Sequence, residues 1–163
     1  MTVTDELLEA NARYAEAFNE AELSAVPTRH VAIVTCMDAR LDIFALLGLG
    51  NGESHVIRNA GGVVTDDVIR SLAISQRKLQ SREVVLIHHT GCGMATFGDD
   101  DFTAELEDET GLKPTWAVET FTDPYADVRQ SMRRVRASPF LPHADVVRGF
   151  VYDVTTGGLT EVG

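Results

Sequence analysis

Two apolar runs constrain this chain more than anything else in it: "HVAIVTC", His30 to Cys36, and "REVVLIHHTGC", Arg82 to Cys92. Neither alternates apolar with polar residues, so neither suits a sheet with one face in water. Continuous runs of this kind are strands of a parallel sheet buried on both sides. Each run then stops at polar residues and a cysteine. Parallel strands point one way, so whatever follows the two runs lies along one sheet edge, the edge where open α/β sheets hold ligands. Cys36 and Cys92 are therefore expected to be neighbours.

The rest of the chain supplies helices between strands. "LDIFALLGLGNG", Leu41 to Gly52, reads as a short helix closed by glycines, with Asp42 as N-cap, and "SHVIRNAGG" as a short strand running into a glycine pair. From Thr65, "TDDVIRSLAISQRKL" places Val68, Ile69, Leu72, Ala73 and Leu79 on one face, with Asp66 and Asp67 in the first turn where the helix dipole favours them. The acidic region Asp99 to Phe121 holds the only tryptophan, Trp116, and a short helix, "FTAELEDETG". A helix from Pro124 to Arg136 stops before Pro139, and "VVRGFVYDVTTGGLTEV" reads as strand, glycine-rich turn and returning strand. This alternation predicts an α/β fold: a mainly parallel central sheet of about four parallel strands plus a C-terminal antiparallel strand, flanked by helices. Residues 4–22 form an amphipathic helix with Thr4 as N-cap, and Pro27 ends it, so residues 1–28 are expected to be a helical arm and residues 29–163 a single α/β domain.

Charge and cysteine usage narrow the partners. Across 163 residues, 14 Lys and Arg stand against 25 Asp and Glu, and the net charge of -11 argues against a protein that binds a nucleic-acid backbone. The first residues lack the basic start and apolar core of a signal peptide, and no window approaches the roughly 18 apolar residues of a membrane span, which predicts a cytoplasmic protein with no membrane association. In that reducing setting a Cys36–Cys92 disulfide is the weaker reading; buried free thiols, a redox pair or metal ligands remain.

The metal reading draws in a third residue. His89 precedes Cys92 by three positions, a spacing at which a loop aims imidazole and thiolate at one ion. Two thiolates and an imidazole suit zinc, and three protein ligands leave the fourth tetrahedral position free for chemistry, whereas a fourth protein ligand would make the site structural. Two thiolates also neutralise the ion, so its water is less acidic than on an all-histidine site and another group must help. Asp38 and Arg40, two and four positions after Cys36, are that group: an Asp paired with Arg stays ionised and oriented, able to accept a hydrogen bond from the nucleophile.

"CMDAR" at Cys36 to Arg40, "HTGC" at His89 to Cys92 and "VIRNAGG" at Val56 to Gly62 together resemble the beta-class carbonic anhydrases, in motifs from His30 to Gly93 and more weakly through "RGFVYDVTTGGL". The resemblance implies a Zn²⁺ site held by Cys36, His89 and Cys92, a catalytic dyad of Asp38 and Arg40, and no organic cofactor. The implied reaction is reversible hydration of carbon dioxide to bicarbonate and a proton by hydroxide generated on the zinc. It implies a homodimer or higher homo-oligomer, with the N-terminal helix packed on the neighbour. The chain's compactness resembles the short bacterial and archaeal branch, which also contains carbonyl sulfide hydrolases, and the same centre attacks either substrate. A third reading is a non-catalytic zinc-stabilised regulatory protein in which Asp38 closes the site. Asn59, Ala60 and Gly61 are either a simple turn or, by the resemblance, a segment whose amides approach the zinc and an anionic product. His88 should face away from His89 as a packed histidine, and His55 has no assigned role.

Overall fold

A computed structural model describes residues 2–163. Strands β1 (Val31–Cys36), β2 (Ser54–Asn59), β3 (Glu83–His89) and β4 (Val147–Tyr152) run parallel, and β5 (Leu159–Val162) returns antiparallel to β4. The order across the sheet is β2-β1-β3-β4-β5. The chain thus steps from β1 outward to β2, then crosses back to lay β3 on the other side of β1. The switch point between β1 and β3 is where a crevice opens beyond the strand ends. Both apolar runs end there, and the sheet expected from their patterning is the one observed.

One face of the sheet is covered by two long helices. Helix α3 (Asp66–Leu79) brings Val68 and Leu72, and α5 (Pro124–Ala137) brings Val128, Met132 and Val135, onto Ala32, Val34, Val84 and Leu86. Each of the Val, Leu and Met side chains among them contributes roughly 1.5–3 kcal/mol by leaving water. Thr65 caps α3 by accepting from the Val68 amide, and Asp123 caps α5 with Pro124 at the first helical position. Gly149 in β4 permits the close approach of α5, since a Cβ there would meet Met132 Sδ at 2.9 Å.

The opposite face is covered unevenly. The short α2 (Ile43–Leu47), capped by Asp42 as expected, packs Ile43 with Leu41, Ile33 and Ile87. Beyond it, Val31, Val85 and Phe150 stay partly exposed and line an apolar groove of about 210 Å³ with Leu47 and Leu49. A parallel sheet ordinarily has both faces buried, so this stretch of sheet lacks part of its cover.

Two helices bury nothing. In α1 (Val3–Ala17) and in α4 (Asp99–Thr110) no residue is buried. The cap of α1 is Thr2 rather than the expected Thr4: Thr2 accepts from the Asp5 amide while the Asp5 carboxylate accepts from the Thr2 amide, and this reciprocal box needs an acid three residues on. The helix also ends at Ala17, short of residue 22. Val3, Leu7, Tyr14 and Phe18 form its apolar stripe, with Leu7 65% exposed. The connection to β1 is pinned to the core: the Thr28 amide donates to Gly52 O (3.1 Å), the Arg29 amide to Glu53 O (3.1 Å), and His55 Nε2 to Ala25 O (3.0 Å).

Candidate metal centre

Cys36 is the last residue of β1, His89 the last of β3, and Cys92 follows on a loop that turns at Gly91 with φ +61. All three are buried, and their potential ligand atoms lie within 4.8 Å of one another. The two sulfurs are 4.0 Å apart and not bonded. In a tetrahedral site with Zn–S of about 2.3 Å, two thiolates sit roughly 3.8 Å apart, so the spacing is that of ligands rather than of a disulfide.

The imidazole is oriented for the same task. His89 Nδ1 donates to Thr90 O at 2.9 Å, which leaves Nε2 as the nitrogen with a free lone pair. That Nε2 is buried and has no hydrogen-bond partner. A buried orphan acceptor beside two thiols is costly unless an ion completes it, and the donor set is one that zinc fits.

The thiols are unequal. Cys36 is shifted well below the ordinary thiol range, first because the Cys92 thiol donates to it, and further by His89 and by the backbone N–H groups of Asp38 and Gly61, against the cost of burial. Cys92 is pushed up by the Cys36 thiolate and by burial. The two thiols titrate as a pair, and a bound cation would draw off both protons.

Asp38 is held beside this centre. Arg40 donates to it three times: backbone N to Oδ1 (2.9 Å), Nε to Oδ1 (2.9 Å) and Nη2 to Oδ2 (2.7 Å). These bonds hold the carboxyl well below the usual carboxylate range. Arg40 Nη2 also donates to Gly91 O (2.9 Å), tying the Asp38 segment to the loop that carries Cys92. Asp38 Oδ2 lies 3.7 Å from His89 Nε2, at the margin of the donor set.

Asn59, Ala60 and Gly61 divide between two surroundings. Ala60 and Gly61 line a cavity of about 600 Å³ together with Cys36, Asp38 and Cys92. Asn59 instead donates to Val63 O (2.9 Å) and lines a neighbouring cleft with Ala60, its Oδ1 buried without a partner. The Gly61 backbone is the least of the groups that lower the Cys36 thiol. Gly62, with φ +72, makes the closest approach: a Cβ there would stand 2.8 Å from Cys36 N and 3.2 Å from Ile87 O.

Several residues of the site escaped the sequence reading. The outer wall of the large cavity is aromatic and apolar, built from Phe97, Phe102, Trp116 and Val118; the unusual position of the single Trp116 in irregular chain was its only signal. Arg58 donates through Nε to Cys36 O (3.0 Å) and through Nη2 to Asp38 O (2.7 Å). It lies inside the quoted "VIRNAGG" segment, but nothing in its spacing pointed to those carbonyls. His88 faces the opposite side from His89, as the strand period required, and its Nε2 meets Asp127 Oδ2 at 2.6 Å under the Phe121 ring. His55, unassigned from sequence, contacts Ser75 Oγ at 2.8 Å on the α3 side.

A doubly wound sheet with a Cys–His–Cys donor set at its switch point and an arginine-held aspartate beside it defines a class of α/β proteins built to hold a metal ion at the strand ends if one is supplied. Residues 31–134 match the family described as "Carbonic anhydrase". The chain is 58% identical to "Beta-carbonic anhydrase 1" of Mycobacterium tuberculosis over 99% of both chains. It is also 30% identical to a "Carbon disulfide hydrolase" of Acidithiobacillus thiooxidans, covering 80% of this chain and 76% of that one. Among solved structures, the carbonic anhydrase from Streptococcus mutans superposes with a TM-score of 0.92 at 41% identity, over 100% of this chain and 99% of the other. The chain belongs to the beta-carbonic anhydrase family.

Proposed function

We propose that this protein catalyses the reversible hydration of carbon dioxide to bicarbonate and a proton. Cys36, His89 and Cys92 would hold Zn²⁺, which supplies the Lewis acidity that makes water nucleophilic near neutral pH. The observation that carries the reading is the orphaned His89 Nε2 converging with two thiols while Asp38 is bound to Arg40 beside them.

The chain's own residues then have distinct tasks. The apolar walls of Phe97, Phe102, Trp116 and Val118 admit a small uncharged substrate and keep bulk water off it. Asp38, ionised and acceptor-only, takes a hydrogen bond from the attacking water and aims its lone pair at the carbon. Because Arg40 keeps Asp38 ionised, Asp38 orients the nucleophile and does not store the released proton, which passes to buffer. The Asn59–Gly61 segment is proposed to border the product, with Ala60 and Gly61 at the cavity wall.

Purified protein should contain about one zinc per chain and hydrate CO₂ rapidly in stopped flow. Zinc-loaded protein inactive on CO₂ from neutral to alkaline pH would overturn the proposal. Carbonyl sulfide hydrolysis by the same centre is the second reading, favoured by the wide apolar cavity and by the likeness to carbon disulfide hydrolases; a paired assay of both substrates decides between them. The non-catalytic reading has less support, since Asp38, its fourth ligand, is taken up by Arg40.

The proposed assembly is a homo-oligomer, at least a dimer. It is supported by an α1 that buries none of its residues and by the groove at Val31, Val85 and Phe150. No nucleic-acid partner is proposed at a net charge of -11. No described helix is long and apolar enough to cross a membrane, and a cytoplasmic location is part of the same proposal.

A further inference from the structure

The segment Cys36–Asp38 leaves the sheet, yet its backbone is fixed as firmly as a strand. The Met37 amide donates to Asn59 O (2.8 Å), Arg58 Nε donates to Cys36 O (3.0 Å), and Arg58 Nη2 donates to Asp38 O (2.7 Å). All three bonds come from the last two residues of β2. Arg58 stands opposite Thr35 in the parallel register, one step before the metal ligand. Its guanidinium makes no ion pair with a carboxylate among the described residues, and its Nε and Nη2 both donate to main-chain carbonyls. A planar fork spans two carbonyls two residues apart, whereas a lysine ammonium at one point satisfies one of them.

The consequence concerns Asp38. Its carboxylate lies 3.7 Å from His89 Nε2, near enough that a modest change in backbone angle would carry it into the donor set. Two restraints oppose that movement. Arg40 holds the carboxylate itself, and Arg58 holds the peptide on which the carboxylate is mounted. We propose that Arg58 is a positioning residue: by bridging the carbonyls of Cys36 and Asp38 it keeps the Asp38 carboxylate off the metal and the fourth coordination position free for substrate chemistry. It touches neither substrate nor metal and acts only through the main chain. This rests on the zinc reading of Cys36, His89 and Cys92.

The test uses the cobalt(II)-substituted protein at one fixed pH, with azide as a probe of the free position and the visible cobalt spectrum as readout. Arg58→Met should weaken azide binding about tenfold, the lower end of what loss of an outer-shell contact does to a metal site, and Arg58→Lys should fall between Met and wild type. In the Asp38→Ala background, where no carboxylate competes, Arg58→Met should change azide affinity less than twofold. Wild-type azide affinity in both Arg58 variants overturns the proposal, as does a loss that persists in full without Asp38. If Arg58→Met does not fold, the Arg58→Lys pair with and without Asp38→Ala carries the same comparison. A wild-type protein that takes up no cobalt or zinc instead overturns the reading of the metal centre itself, so the two failures are distinct.

Discussion

At the ends of β1 and β3, Asp38 receives three hydrogen bonds from a single arginine, while along α1 Leu7 lies 65% exposed and no residue is buried. The first region is tied to other elements of the chain by side-chain hydrogen bonds, whereas α1 buries none of its residues. The corner where the strands end is over-determined: Arg40 joins it to Gly91, Arg58 to β2, and Gly62 packs against it with no room for a methyl group. The arm has a capping box and an apolar stripe and nothing to lay the stripe on. The contrast separates the region proposed for chemistry from the region proposed for assembly, and each half can be attacked without the other.

The largest effect is expected from Cys92→Ser, which should abolish stoichiometric zinc, measured by metal analysis, because one of three ligands is gone while α1 is untouched. Next, Asp38→Ala should retain zinc and lower kcat/KM for CO₂ on the order of 10²-fold, the scale of a misaimed nucleophile. Gly62→Ala tests the packing of the corner: overpacking with an L-residue at positive φ should cost about 3 kcal/mol and lower Tm by roughly 10 °C, with a fall in zinc affinity. On the other side of the comparison, Leu7→Ser with Tyr14→Ser should leave the zinc content unchanged and shift the sedimenting species toward monomer. An unaltered oligomer would mean that the arm is not the assembly element.

The smallest effect is one of pH. Asp99 is held below its ordinary range first by the Thr120 hydroxyl and then by the Thr120 amide. A carboxylate whose folded pKa is lowered contributes stability above its unfolded value, and that contribution disappears as pH falls through the folded value. The protection factor of the Thr120 amide, which donates to Asp99, should therefore fall on acidification before those of β1 or β3 do.

Much of this molecule was legible in the sequence because its strongest patterns are local. Continuous apolar runs specify buried parallel strands, and His89 and Cys92 are close in sequence, so the donor set needed only the inference that β1 and β3 end at one edge. Helix boundaries were less legible, since the choice between Thr2 and Thr4 depends on which acid can reach back. Arg58 was hidden for a different reason: its partners are main-chain carbonyls, which leave no trace in residue identity. The incomplete cover of the sheet near Val31 and Phe150 was equally invisible, because an apolar strand reads the same whether or not the chain's own helices cover it.

The placement of β1 between β2 and β3 also bears on how such a chain becomes loaded with metal. Thr35 bonds to Ile87 across 52 residues of sequence, and that long parallel pairing is among the slower contacts for a chain to find. As the polypeptide emerges from its N-terminus, Cys36 is made well before His89 and has no chelating companion until the third strand docks. Capture by all three proposed ligands would therefore wait until β1 and β3 have paired, so a filled Cys36–His89–Cys92 centre would report a chain that has already found the right topology.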